Sequence, residues 1–319
     1  MEENKGLIIF EKAMNKRFLE MANIHKLEVF KANLENNFHG NPVKNIVRRI
    51  LSKKILLNAV SDIEFFIKQK ELQVVYFSTS EGYVSHNIIY RLKNKVPNTT
   101  FIALQHGVFP LKYSRKKETI RKAFNKIGMG LFGIYPIGAG FGGIPLNGYI
   151  VYSEREKKFL MEYRNWKEFQ VHPKLDFIKA DLLQQYKNSK IKQESNTAIF
   201  LMQCLHLAGL CSKEDENKYI ATTIQYLSDK YEKVLLKPHP ACTDQLDNLK
   251  LSKNVVVVHD MVEGFKKCKN AYSFFSTALI DAKIFKLKTT GIVIKNINVD
   301  KEIYNNFDLR LNFEDIINI

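Results

Sequence analysis

The sequence predicts an α/β protein built of two lobes, each a parallel sheet covered by helices on both faces. Three observations carry that expectation. Short β-rich apolar runs alternate with helix-length segments in both halves of the chain, and a polar stretch, ADLLQQYKNSKIKQESN at 180–196, interrupts the alternation. At 319 residues the chain also exceeds one ordinary hydrophobic core. The expected domains are therefore 1–180 and 181–319.

In the first seventy residues Phe18, Met21, Ile24, Leu27 and Phe30 recur at intervals of three, and a second apolar series runs through Ile46, Ile50, Ile55 and Leu56, so helices are expected there. From Leu72 the pattern changes. LQVVYF and TFIAL are strand-like runs separated by the helix-like NIIYRLKNK, which is a βαβ signature. GYIVY at 148–152 adds a strand, the segment from Glu154 to about Tyr163 a helix, and FQV at 169–171 a last strand. Beyond the linker the order is strand 197–202, helix 215–230, strand 233–237, a short helix near 244–249, strand 254–258, helix near 262–268, strand 271–275, helix 277–285 and strand 290–294.

Forty-nine Lys and Arg against 33 Asp and Glu give a formal charge of +16, which suits a phosphate-bearing partner: a nucleotide, a nucleic acid or an anionic membrane. The aromatics are not interleaved with Arg and Lys as in RNA-binding motifs, which argues against specific nucleic-acid recognition. Cys204, Cys211, Cys242 and Cys268 form no CxxC pair, so reduced thiols without a structural metal are expected. The charged start MEENKGLIIFEK lacks a signal-peptide core, and a cytoplasmic location follows as the expectation. No charge occurs between Lys126 and Glu154, but Gly and Pro punctuate that run and make it a glycine-rich loop rather than a membrane span. The preceding YSRKKETIRKAFNK is basic and weakly amphipathic, a composition compatible either with peripheral contact on an anionic membrane or with a solvated helix face.

In open parallel sheets, ligands collect at the carboxyl ends of strands. The VLL strand runs directly into Lys237-Pro-His-Pro240, where two prolines stiffen the backbone around a Lys and a His able to neutralise a departing phosphate without a metal. A second strand ends in Phe275-Ser276-Thr277, where two hydroxyls meet a helix N-terminus suited to anions. In the first half, FIAL runs into Gln105-His106-Gly107: Gly107 permits a tight turn, and His106 would face the cleft between lobes as a base for an acceptor hydroxyl. Glu81, in Ser78-Thr-Ser-Glu-Gly82 after the preceding strand, is the rival base. His172, His206 and His259 are isolated, and GAGFGG at 138–143 does not lead from a strand into a helix as a dinucleotide fingerprint must.

The order of HG, then KPHP, then a Ser-Thr-Ala-Leu-x-Asp-Ala helix start resembles the bacterial GT-B sialyltransferases and polysialyltransferases, whose signature is an acidic loop, an HP motif and a serine motif. The likeness is firmest over Thr197–Ile294. It implies the GT-B fold, two Rossmann-like lobes facing across a cleft, and a CMP-sugar donor held by His239, Ser276 and Thr277. Lys237, Gln105 and Gly107 complete the donor-binding set. The family's carboxylate loop is replaced by Gln105-His106-Gly107 unless Ser80-Glu81-Gly82 is its equivalent, so His106 and Glu81 both stand as the catalytic base. QHGVFPLK with KPHP also resembles the teichoic-acid glycerol-phosphate and ribitol-phosphate transferases. The function these resemblances imply is inverting, metal-independent and cofactor-free transfer of a nonulosonic or Kdo-type sugar to a surface glycan or glycolipid. Phosphotransfer from a CDP-alditol is the alternative, and non-enzymatic polyanion binding is a second one.

Overall fold

The computed structural model describes residues 3–317 apart from 11–14, 33, 35–41, 106, 108–113, 241, 243, 244, 248 and 300. Contacts divide the chain into two units, one of Met1–His106 and Leu111–Asp181, the other of Leu182–Ile319 with Gly107–Pro110.

The first unit contains strands β1 (Lys5–Ile9), β2 (Glu28–Lys31), β3 (Val74–Phe77), β4 (Thr100–Leu104), β5 (Gly148–Val151) and β6 (Val171–Pro173). Its helices are α1 (Asn15–Ile24), α2 (Pro42–Leu51), α3 (Lys53–Gln69), α4 (Gly82–Lys95), α5 (Arg115–Phe132), α6 (Glu154–Arg164) and α7 (Leu175–Ile178). The sheet order is β2-β1-β3-β4-β5-β6, parallel throughout. Helices on the faces leave the strands buried on both sides, and every residue of β3 and β5 is buried, so these strands read as continuous apolar runs.

Two sequence expectations change here. The first seventy residues are not wholly helical: β1 and β2 pair within them, and β1 also pairs with β3. A run as short as Gly6-Leu-Ile-Ile9 carries no period that separates a buried strand from a helix. Nor does the uncharged run form a loop from its start, because α5 continues through Gly128 and Gly130 to an αL cap at Gly133. Gly128 is required there, since a Cβ would overlap the ring of Pro136.

Helix α8 (Ala180–Asn188) occupies the predicted linker. The second unit then follows as β7 (Glu194–Leu201), α9 (Lys213–Lys230), β8 (Lys233–Lys237), β9 (Val255–Val257), α10 (Met261–Phe265), β10 (Cys268–Ser273), α11 (Ala278–Ile284), β11 (Lys288–Val293), β12 (Leu309–Asn312) and α12 (Phe313–Ile317). Its sheet order is β12-β11-β10-β7-β8-β9, again parallel. The second-half alternation predicted from Thr197 to Ile294 is present element for element, except that Gln245–Asp247 form a turn where a short helix was expected. The last strand and helix lie beyond the pattern that the sequence reading covered.

In each unit the first strand is an interior one: the chain winds outward to one side, then crosses back to the other. The reversal falls between β1 and β3 in the first unit and between β7 and β10 in the second. The loops leaving those strand ends diverge, which opens a crevice where open α/β sheets receive ligands.

Candidate functional site

The crevice of the second unit is where Lys237-Pro-His-Pro and Phe275-Ser-Thr emerge, from strand ends on either side of central β7. Gln203, two residues past β7, ties them together. Its side-chain carbonyl accepts from the Phe275 amide at 2.8 Å and from the Ser273 hydroxyl at 3.1 Å, while its backbone carbonyl accepts from Gln245 Nε2 at 2.7 Å. Gln245 in turn accepts from the His239 amide at 3.2 Å. One residue thus fixes both motif loops, each through a different atom.

Glu216, near the start of α9, supports the same network. Although only 1% exposed, it accepts from the His206 amide at 2.8 Å and from Gln245 Nε2 at 3.3 Å, and pairs with His206 Nδ1 at 3.0 Å. A buried carboxylate must be bonded in this way to be tolerated. Nothing in the sequence pattern marked Gln203, Gln245 or Glu216; only the folded loops bring them together.

Lys237 and His239 are half-buried. Burial pushes the Lys237 ammonium below its ordinary range, with Asp260 opposing the shift. His239 is also pushed down, by burial first and then by Lys237, against a smaller pull from Glu216. An ammonium and an imidazole are therefore held close and partly desolvated, and an incoming anion would favour the charged form of both. Lys237 Nζ donates to the Pro238 carbonyl at 2.8 Å. Ser276 accepts from the Ala278 amide at 3.2 Å, and Thr277 is the N-cap residue of α11 without a side-chain cap bond. Ser276 thus supplies the hydroxyl that bonds the first turn of α11, while the Thr277 backbone is already helical.

Cys204 and Cys242 are joined as a disulfide, contrary to the expectation of four reduced thiols. They lie 38 apart in sequence, so spacing gave no signal. The pairing of Leu201 with Lys237 across β7 and β8 puts the residues that follow each strand side by side. Cys204 Sγ also lies 3.4 Å from His239 Nδ1. His206, Glu216 and Cys242 bring three ligand-type atoms within 4.8 Å of one another. That Cys242 sulfur is bonded to Cys204 and the carboxylate is taken up by its donors, so the cluster as formed braces the loop instead of offering a metal cage.

In the first unit, Glu81 sits at the corresponding crevice, where β3 enters α4. Hydroxyls hold its loop: the Phe10 amide donates to Ser78 at 3.1 Å, the Glu81 amide donates to Thr79 at 3.1 Å, and Ser80 bonds the Tyr149 hydroxyl at 2.8 Å. Ser85 donates to the Glu81 carbonyl. Burial raises the Tyr149 hydroxyl far above its usual range, and the neighbouring Glu81 charge adds to the shift.

Gly82 has φ of +88° and pairs with Ala139, its amide donating at 2.9 Å. Gly138 approaches so closely that a Cβ there would overlap the Gly82 carbonyl. The glycine-rich loop is thus a clamp on the Glu81 turn. Gly138→Ala is expected to destabilise the protein by about 3 kcal/mol, read as a lowered urea midpoint, because backbone cannot yield as a flexible side chain does; an unchanged midpoint would refute the clamp.

Gln105 is fully buried and accepts from the Tyr152 amide at 2.9 Å, which occupies its carbonyl in bracing β4 against β5. Gly107 is a bend residue, and His106 lies outside the described residues.

The sequence model of the Alpha-2,8-polysialyltransferase (POLYST) family matches residues 3–294. Among curated proteins no sequence matches significantly. Among solved structures, the chain is similar to a putative UDP-N-acetylglucosamine 2-epimerase from Listeria monocytogenes, with 10% identity, a TM-score of 0.57, and coverage of 99% of this chain and 86% of that one. It is also similar to the UDP-GlcNAc 2-epimerase of Methanocaldococcus jannaschii in complex with UDP-GlcNAc and UDP, with 11% identity, a TM-score of 0.55 and coverage of 98% and 91%. The glycosyltransferase SnogD from Streptomyces nogalater gives 10% identity, a TM-score of 0.50 and coverage of 99% and 88%. The fold is GT-B, an α/β architecture that epimerases and transferases share, so it does not by itself select a reaction.

Proposed function

We propose, because the chain belongs to the alpha-2,8-polysialyltransferase family and is therefore a glycosyltransferase, that it moves a sialic-acid-type sugar from a CMP-sugar donor to a glycan or glycolipid acceptor. The observation that supports this most is the joint anchoring of the Lys237–His239 loop and the Ser276–Thr277 turn by Gln203, at the reversal of the second sheet. A phosphate set there would meet an ammonium, an imidazole and hydroxyls together.

In the proposed step an acceptor hydroxyl attacks the anomeric carbon from the face opposite the nucleotide. The new glycosidic bond forms as the bond from the anomeric carbon to the phosphate oxygen breaks. The electron pair leaves with CMP, whose charge Lys237 and His239 stabilise, and the hydroxyl proton passes to the base, Glu81 or His106. Displacement in one step inverts the anomeric centre. Neither a metal nor a cofactor takes part, since the two cationic side chains do the work a divalent ion would do on the leaving phosphate.

A thermal-shift panel of CMP, CDP, UDP, GDP and ADP, each with and without Mg²⁺, tests the donor assignment. A ligand that binds only the folded state stabilises it in proportion to its affinity. Selective, Mg²⁺-independent stabilisation by CMP, lost in His239→Ala, is expected. An equal response in the variant would place the nucleotide elsewhere, and a preference for CDP would favour alditol-phosphate transfer.

The depressed His239 also sets a pH dependence. With its free-state pKa lowered and a bound donor phosphate raising it, donor binding takes up a proton in the interval between the two values. KM for a CMP-sugar should therefore fall as pH drops toward the free-state pKa, by at most about tenfold per pH unit, and the slope should vanish in His239→Gln. A KM that rises on acidification, or a slope retained by the variant, would contradict the role given to His239.

A further inference from the structure

We infer that the first unit carries a docking surface for an anionic lipid bilayer, formed by an apolar stripe along α5 and continued by the junction of α2 and α3. Among the described residues, helix α5 is fastened to the unit along one side. Asn125 is buried and accepts from the Ile137 amide at 3.0 Å, Gly128 abuts Pro136, and Arg121 donates to the Gly138 carbonyl at 3.0 Å. Elsewhere on the helix Ile120, Phe124, Ile127 and Leu131, spaced by four, three and four residues, form one line, with Ile127 58% and Leu131 72% exposed. Four large apolar side chains aligned in water are costly unless another phase receives them.

The line does not stop at the helix end. At Gly133, the cap of α5, a Cβ would lie 3.0 Å from Lys53 Nζ, so the start of α3 adjoins the end of α5. There Leu51 is 78% exposed, and Val47 and Ile55 are exposed beside it. Two separate elements thus extend one apolar surface.

Charge selects the occupant. Lys116, Lys117, Lys122 and Lys126 on α5, and Arg48, Lys53 and Lys54 at the junction, are all exposed. The one acidic residue of α5, Glu118, is paired with Arg121 and with Arg164 at 2.9 Å. A second copy would bring this positive surface against itself. An apolar line flanked at its start by Lys116 and Lys117 and at its other end by Arg48, Lys53 and Lys54, on a helix lying flat, matches acyl chains beneath anionic headgroups. Among the described residues no helix is long and apolar enough to cross a membrane, so the contact would be one of the surface. None of the donor-binding residues belongs to this patch, and its failure would leave the donor assignment untouched.

Vesicle flotation with the whole chain tests it, using phosphatidylcholine with and without phosphatidylglycerol. Wild type should float with the anionic vesicles and not with the neutral ones, and added salt should weaken the association. Phe124→Glu with Leu131→Glu, and separately Lys116→Glu with Lys117→Glu, should each reduce bound protein by about tenfold or more, with unchanged circular dichroism because all four positions face solvent. Equal flotation with neutral vesicles, or undiminished binding by either double variant, overturns the inference. So does a wild-type dimer in solution that Phe124→Glu with Leu131→Glu converts to a monomer, for the stripe would then belong to a second copy.

Discussion

Glu81→Gln is expected to lower kcat for sugar transfer by a factor of about 10²–10⁴, the range for removal of a general base, while leaving stabilisation by CMP unchanged. The substitution is nearly isosteric, and two bonds that shape the turn are made by the backbone, which it leaves in place: the Glu81 amide donates to Thr79 and its carbonyl accepts from Ser85. Gly82 and the Gly138–Ala139 clamp stay in place as well. What changes is the capacity to accept a proton. A loss confined to kcat, with intact nucleotide binding, separates a base from a residue that merely builds the loop. If Glu81→Gln keeps activity within about tenfold of wild type, Glu81 is not the base, and the same substitution test passes to His106.

The second large effect lies at the leaving group. Lys237→Ala and His239→Ala should each cost about 10²–10³ in kcat, the size seen when one preorganised donor to a developing anion is removed. The loop should survive both changes. His239 is anchored through its amide to Gln245, and the Lys237 side chain donates to the adjacent Pro238 carbonyl. Because both groups act on one phosphate, the double variant should lose less than the product of the single losses. CMP stabilisation should weaken in each. Unchanged kcat with raised KM would mean that they bind substrate and transition state equally, and the leaving-group role would be wrong.

The second unit was legible because its strands are bounded by turn residues and separated by helices long enough to show a period. Helix α9 at Lys213–Lys230 and strand β8 at Lys233–Lys237 fall almost where the apolar spacing put them. The first unit hid β1 and β2, since four- and five-residue runs beside amphipathic helices carry no period of their own. At the candidate site the sequence displayed the groups that the proposal assigns to the ligand, Lys237, His239, Ser276, Thr277 and Glu81. It did not display the groups that hold them.

Gln203, Gln245 and Glu216 act through long-range bonds between loops, and such bonds leave no spacing to detect. The same is true of the Cys204–Cys242 pair, which depends on parallel strands ending side by side. GAGFGG at 138–143 clamps the Glu81 turn through a close backbone approach between Gly138 and Gly82, which no local pattern in the sequence announces. Local chemistry is written in order along the chain, whereas support is written across it.

The measurement that bears most directly on the donor and the reaction is mass spectrometry of a short oligosialic acid acceptor incubated with the protein and CMP-sialic acid, and in parallel with CDP-glycerol and with UDP-GlcNAc. Growth of the acceptor by whole sialyl residues with equimolar release of CMP, at an initial rate about a hundredfold or more lower in His239→Ala and without dependence on Mg²⁺, is the predicted result. Growth from CDP-glycerol alone, conversion of UDP-GlcNAc without any acceptor, or sialyl transfer at an undiminished rate in His239→Ala would contradict the account.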